Sequence, residues 1–195
     1  MSTVVLRVFC ARDLPVVLPW FAHPDQREFA RDLPARELEL RRTLPGSEYR
    51  GARVLGRPSW IAQDKGGVPV AFVGAELYDR PPFHDADGQP SWPAPTWQGP
   101  SAGLLLCVDP ARWRRGYGRA TLLAVAASDE LAGVDWLVAG IDSRHVASQR
   151  CARAAGFAAT SLEPDREGMV TWIRRPLQPH TDVRRQSRTR AGPHG

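Results

Sequence analysis

Lysine is almost absent from this sequence: Lys65 stands alone among 26 basic residues, a bias of composition more than of site chemistry. Cysteine is scarce as well. Cys10, Cys107 and Cys151 are odd in number and widely spaced, which suits neither a disulfide framework nor a zinc site, so a reducing cytoplasm is the expected setting. No stretch approaches the roughly 18 consecutive apolar residues of a membrane helix. The opening residues MSTVVLRVFCARD also lack the basic start and long apolar core of an export signal. The expectation is a chain that is neither exported nor embedded in a membrane.

Charge is equally uninformative once it is located. From Arg174 onward six Arg and one Asp account for the whole formal charge of +5, leaving the preceding 173 residues neutral. A nucleic-acid binder concentrates basic residues on a folded face, and a basic tail does not, so no nucleic-acid partner is expected. Residues 176–195 are polar, Arg-rich and aperiodic, and are expected to be a disordered basic tail. They would follow one domain, residues 1–175, long enough to bury a substantial core of the 43% hydrophobic residues.

The apolar and β-branched residues 3–9 predict a strand, followed by a short helix carrying Leu14, Val17 and Trp20, with Asp13 as its N-cap and Pro15 in its first turn. Residues 34–44 have helix formers behind a Pro and a Pro-Gly stop. Residues 59–64 and 68–78 predict a hairpin turning at Lys65-Gly66-Gly67. Six prolines then fall within residues 80–100, together with Trp92 and Trp97, a long loop and not a linker because a strand pattern resumes at once. Residues 103–108 (strand), 116–131 (helix), 135–141 (strand), 145–155 (helix stopped by Gly156) and 168–174 (strand) complete the order. There is no internal repeat. The fold class is α/β, one mixed, mostly antiparallel twisted sheet flanked by helices on both faces.

The densest signal is LLLCVDPARWRRGYGRATLLAVAA, residues 104–127: strand, basic glycine turn, helix. Glycines let backbone N–H groups approach an anion, the helix dipole favours its charge, and Arg114, Arg115 and Arg119 add cations. It is not a Walker A loop, since Arg119-Ala120 follows Gly118 where Lys and Ser or Thr are required. Nor is it a dinucleotide fingerprint, because residues 109–115 intervene after the strand and Thr121 stands at the third glycine.

The surviving pattern is V-x-P-x(5)-G-x-G, carried by Val108, Pro110, Gly116 and Gly118, and it resembles the acetyl-CoA loop of the GNAT superfamily of N-acetyltransferases. Downstream, Ser148-Gln-Arg-Cys-Ala-Arg-Ala-Ala-Gly156-Phe157 resembles that family's second cofactor segment. The resemblance spans about residues 58–174 and implies acetyl-CoA as acyl donor. It also implies cofactor contacts from Cys107, Val108, Arg114, Arg115, Gly116, Tyr117, Gly118, Arg119, His145 and Ser148. Three positions depart from it. Trp113 replaces the usual Gln or Arg before the turn, as in the branch resembling ribosomal-protein acetyltransferases, with its backbone N–H still able to serve; His145 replaces the usual Asn; Ala152 replaces the Tyr proposed to protonate the departing thiolate.

The implied reaction is direct attack of an amine on the thioester, which requires a base for the amine and a donor for the oxyanion. By resemblance the donor is a backbone N–H near Cys107 and Val108, while Cys107 itself reads as a core residue and not a nucleophile. The strand Gly103-Leu104-Leu105-Leu106 offers no carboxylate, so Glu76 is the candidate base, with the solvent face of an amphipathic strand as its alternative. Asp79, His84, Asp85 and Asp87 form an acidic neighbourhood that either receives a cationic amine or is a solvated loop, and Trp92 and Trp97 either wall a pocket or pin that loop. Ser148 is the candidate acid, and His145 a base, a cofactor contact or a structural stand-in for Asn. The expected activity is N-acetylation of a small-molecule primary amine. Acetylation of a protein N-terminus or side chain, a catalytically silent acyl-CoA-binding module, and homodimerisation stay open.

Overall fold

The computed structural model describes residues 2–29, 46–49, 51–82, 98–161 and 163–177. In chain order the elements are β1 (Val5–Val8), α1 (Leu14–Ala22), α2 (Pro24–Phe29), β2 (Glu48–Tyr49), β3 (Ala52–Gly56), β4 (Ser59–Gln63) and β5 (Pro69–Tyr78). They continue with β6 (Ser101–Val108), α3 (Tyr117–Ala126), β7 (Trp136–Asp142), α4 (Val146–Ala154), β8 (Ala158–Ala159) and β9 (Met169–Arg174). No helix among them is long and apolar enough to cross a membrane.

The strands form one sheet in the order β1-β4-β5-β6-β7-β9-β8, with β3 continuing along β5 where β4 leaves off, and β2 beside β3. Every pairing is antiparallel except β6 with β7. The β4–β5 hairpin follows from its turn chemistry. Asp64 Oδ1 accepts the amides of Gly66 at 2.9 Å and Val68 at 3.0 Å, and Gly67 takes a φ of +78° that favours glycine.

Helices cover both faces, as the sequence implies. On one, Val17, Trp20 and Phe21 of α1 pack on Ile61, Phe72 and Cys107. On the other, Leu122 and Val125 of α3 and Ala152 of α4 pack on Trp60, Val73, Ala75, Ala102 and Leu137. Burying each such large apolar side chain contributes about 1.5–3 kcal/mol.

Several elements differ from the sequence reading. Asp13 does not cap α1 through its side chain; it sits in a 3₁₀ turn, 5% exposed, and its carboxylate pairs with Arg7 at 2.6 Å and accepts the Cys10 amide at 2.9 Å. The Arg7 guanidinium holds that carboxyl well below the usual carboxylate range. Helix α3 stops at Ala126, short of residue 131, because Ser128 turns extended and residues 129–131 form a 3₁₀ turn that tucks Leu131 into the core. Strands β2, β3 and β8 were not evident beforehand: β2 and β8 are two residues each, and β3 is a five-residue run between glycines. The expected helix at 34–44, the loop residues His84, Asp85, Asp87, Trp92 and Trp97, and the tail beyond Leu177 lie outside the described residues.

Candidate active site

The β6–β7 pairing runs through only Ser101–Trp136, Ala102–Leu137 and Gly103–Val138. Beyond it β6 continues to Val108 and β7 to Asp142 without pairing to each other, so the sheet opens into a seam. Which backbone groups face that seam follows from strand alternation. The Asp109 amide donates to Val70 O at 3.0 Å, which sets Cys107 and Leu105 toward β5 and leaves Leu104, Leu106 and Val108 facing the gap. Across it, Ser143 donates to Gly168 O at 2.9 Å, and the same alternation turns Gly140 inward. Cys107, expected from resemblance to touch the cofactor, is turned away from the gap. Its backbone pairs with β5, its side chain is 1% exposed against α1, and burial, with Asp109 nearby, pushes its thiol up to about 12.

At the lower end of the seam lies the basic turn. Asp109 accepts the Ala111 amide at 2.9 Å, and Arg114 follows with a φ of 59°, a left-handed conformation that costs a side-chain-bearing residue about 1–3 kcal/mol. Gly116 continues with φ 80° as the N-cap of α3. The first helical bond runs from Ala120 N–H to Gly116 O at 3.0 Å, so the amides of Gly116, Tyr117, Gly118 and Arg119 have no helical acceptor. Together with the dipole they make an anion cradle. Arg114 and Arg115 are exposed beside it and form no ion pair among the described residues.

Other turn residues serve the scaffold. Arg119 Nε donates to Ala154 O at 2.8 Å and Arg174 Nη1 donates to Ala155 O, so two arginines cap the carbonyl end of α4. Gly118 answers to packing: a Cβ there would stand 2.9 Å from Cys151 Sγ and 3.4 Å from Val108 Cγ2. Trp113 acts through its indole, whose Nε1 donates to Val108 O at 3.0 Å and whose ring meets His23 edge-on at 4.9 Å. Its backbone N–H, expected to be available, is turned to Pro110 O at 3.4 Å.

At the upper end, where β6 and β7 part, lies a cleft of about 230 Å³ bounded by Tyr49, Glu76, Tyr78, Pro82, Gly103, Leu104, Leu105, Val138 and Gly140. Glu76 is opposite Gly103 on β6. It is not a freely solvated strand residue: its side chain is 23% exposed, Arg57 Nε lies 3.1 Å from Oε1, and the Tyr78 hydroxyl donates to Oε2. Sequence reasoning missed Tyr49, Arg57 and Tyr78; the alternation Glu76-x-Tyr78 on one strand was the available signal. Asp79 is not part of this group, since its carboxylate accepts the Arg53 amide at 2.9 Å and pairs with Arg80 at 3.3 Å.

Beyond β7, His145 caps α4, and the Ser148 hydroxyl lies 3.3 Å from its Nε2. Ala152 is one turn further on and 2% exposed. His145 and Ser148 do not line the cleft that holds Glu76; they stand at the α4 end of the seam. Among the described residues no cluster of His, Cys, Asp or Glu could hold a metal ion.

The fold that carries this seam is matched by known proteins. The aminoglycoside acetyltransferase AAC(6')-Ib bound to paromomycin and acetyl-CoA has 19% identity and a TM-score of 0.60, covering 97% of this chain and 98% of that one. The GNAT domain of S. lividans PAT has 17% identity and a TM-score of 0.59, covering 89% and 96%. The aminoglycoside N(6')-acetyltransferase of Legionella pneumophila has 13% identity and a TM-score of 0.60, covering 89% and 92%. At these identities the likeness shows the fold, and among curated proteins no sequence matches. The family model for the acetyltransferase (GNAT) domain matches residues 3–158, and the chain belongs to the GNAT acetyltransferases.

Proposed function

We propose that the chain transfers the acetyl group of acetyl-CoA to the primary amine of a small molecule, within one domain of residues 1–175. The observation that carries this reading is a single open seam with an anion cradle at one end and a paired carboxylate at the other. An extended pantetheine arm has amides of its own to meet Leu104, Leu106, Val108 and Gly140, and its pyrophosphate suits the amides of residues 116–119 beside Arg114 and Arg115. Similar structures hold acetyl-CoA or coenzyme A, some with aminoglycosides.

In this reading Glu76 takes the proton of the acceptor ammonium, which is charged at neutral pH, directly or through a water. The Leu106 and Val108 amides donate to the thioester oxygen as negative charge develops there. Ser148, with His145 behind it, returns a proton to the departing thiolate, the work that Ala152 has no group to do. A free-thiol assay with acetyl-CoA and kanamycin, 1,4-diaminobutane or a peptide with a free N-terminus tests it. Amine-dependent thiol release with a small amine is the expected result. Preference for the peptide would assign a protein acceptor, and acetyl-CoA binding without amine-dependent release would make the chain a silent binding module.

A further inference from the structure

We infer that Tyr78 is a positioning residue for the acceptor end: its hydroxyl fixes the orientation of the Glu76 carboxylate in the cleft. The inference rests on Glu76 as the base and adds what orients it. Glu76 and Tyr78 are two residues apart on β5, so their side chains leave the same face, and the hydroxyl donates to Oε2 while Arg57 Nε stands 3.1 Å from Oε1. One oxygen thus accepts a hydrogen bond and the other is in ion-pair contact, so the carboxylate is restrained from both sides.

Tyr78 is itself held. It is 3% exposed, and its ring stacks on Tyr49 at 5.9 Å and 23°. Gly103 leaves it room on β6, where a Cβ would stand 3.4 Å from Tyr78 Cε2. Burial first, then the bond to Glu76, pushes its hydroxyl well above the ordinary tyrosine value, so it remains a donor at any working pH. Among the described residues, the charged and titratable groups around Glu76 are Arg57 from the β3–β4 connection, Tyr49 of β2 and Tyr78 of β5, and β6 and β7 present Gly103, Leu104, Leu105, Val138 and Gly140 to the cleft.

The test is Tyr78→Phe, which keeps the ring and its stacking, assayed with acetyl-CoA and the fastest of the three probe amines. Acceptor kcat/KM should fall about tenfold to hundredfold, the value of a hydrogen bond to a charged group. The KM for acetyl-CoA should stay put. On a Glu76→Gln background the same change should cost nothing further, the signature of one residue acting through another. A Tyr78→Phe enzyme as fast as the parent, or a loss that adds to that of Glu76→Gln, overturns the inference while leaving the base in place. A fully active Glu76→Gln overturns the base and the inference together, and an enzyme that turns over none of the amines overturns the proposed function itself.

Discussion

The two ends of the seam are built from different materials. At the lower end the site is backbone: four amides at the start of α3 without helical acceptors, presented by a left-handed Arg114 and by Gly116. At the upper end the cleft is built by side chains from three separate places, Tyr49, Arg57 and the Glu76–Tyr78 pair. A backbone site demands glycines and prolines at fixed spacing, so it is written into a short stretch of sequence. A side-chain site assembled across a sheet demands only that residues far apart in the chain meet, and can be rebuilt for another acceptor without touching the cofactor end.

That division predicts the largest separation of effects for Glu76→Gln. The substitution keeps shape and most hydrogen bonding but removes the base, so acceptor turnover should fall by about 10²–10⁴-fold, with acetyl-CoA affinity by calorimetry unchanged. The residual rate should rise with pH as more amine arrives deprotonated. Equal weakening of acetyl-CoA binding would mean that the two ends are not independent.

Gly118 probes the lower end. Because its missing Cβ is aimed at Cys151 Sγ, 2.9 Å away, Gly118→Val should overpack the α3–α4 contact and cost about 1–3 kcal/mol of stability, read as a lowered melting temperature. The pair Gly118→Ala with Cys151→Ala sharpens the comparison. If stability and acetyl-CoA affinity both return, the glycine is there for packing; if stability returns and affinity does not, it is there for the phosphate.

The Arg7–Asp13 pair at the start of α1 tests the scaffold apart from either end of the seam. Asp13→Asn should cost about 1.5–3 kcal/mol with little change in acetyl-CoA binding. The sign with pH is fixed by the depressed folded-state value. This carboxylate contributes its full stability above the unfolded value near 3.9 and loses it as pH falls below that. Acid denaturation of the parent should therefore be steeper below about pH 4 than that of the variant.

The same division explains what could be read in advance. Apart from the two-residue β8, the order of strands and helices from residue 59 to 174 was legible because periodicity and glycine stops act locally: Gly156, with φ +86°, ends α4 where the pattern said it should. The candidate carboxylate was legible by elimination. Its partners were not, because nothing local links Tyr49 or Arg57 to Glu76; only the pairing of β3 with β5 and of β2 with β3 brings them together. Cys107 and Gly118 were assigned to the cofactor on motif alone, and strand alternation and a 2.9 Å packing contact respectively show the structural demands those positions meet. Arg119 was counted as a phosphate cation, but its Nε serves as a helix cap, a use that depends on where α4 ends.

The smallest effect is expected at the boundary of the domain. Composition alone places the end of the fold at residue 175, but the described chain stays engaged slightly further. The Leu177 amide donates at 2.8 Å to Ala126 O, one of the last carbonyls of α3, and the Arg175 guanidinium lies 4.4 Å above the Trp136 ring. A chain ending after Leu177 should match the parent in melting temperature and turnover, since its missing residues are polar and Arg-rich. A chain ending after Arg174 should lose one hydrogen bond and one cation–π contact, together about 1–2 kcal/mol, and with them the order of the α3 C-terminus, at unchanged acceptor KM. Lost turnover in the longer truncate at unchanged stability would reverse the comparison, by placing part of the acceptor site in the basic tail.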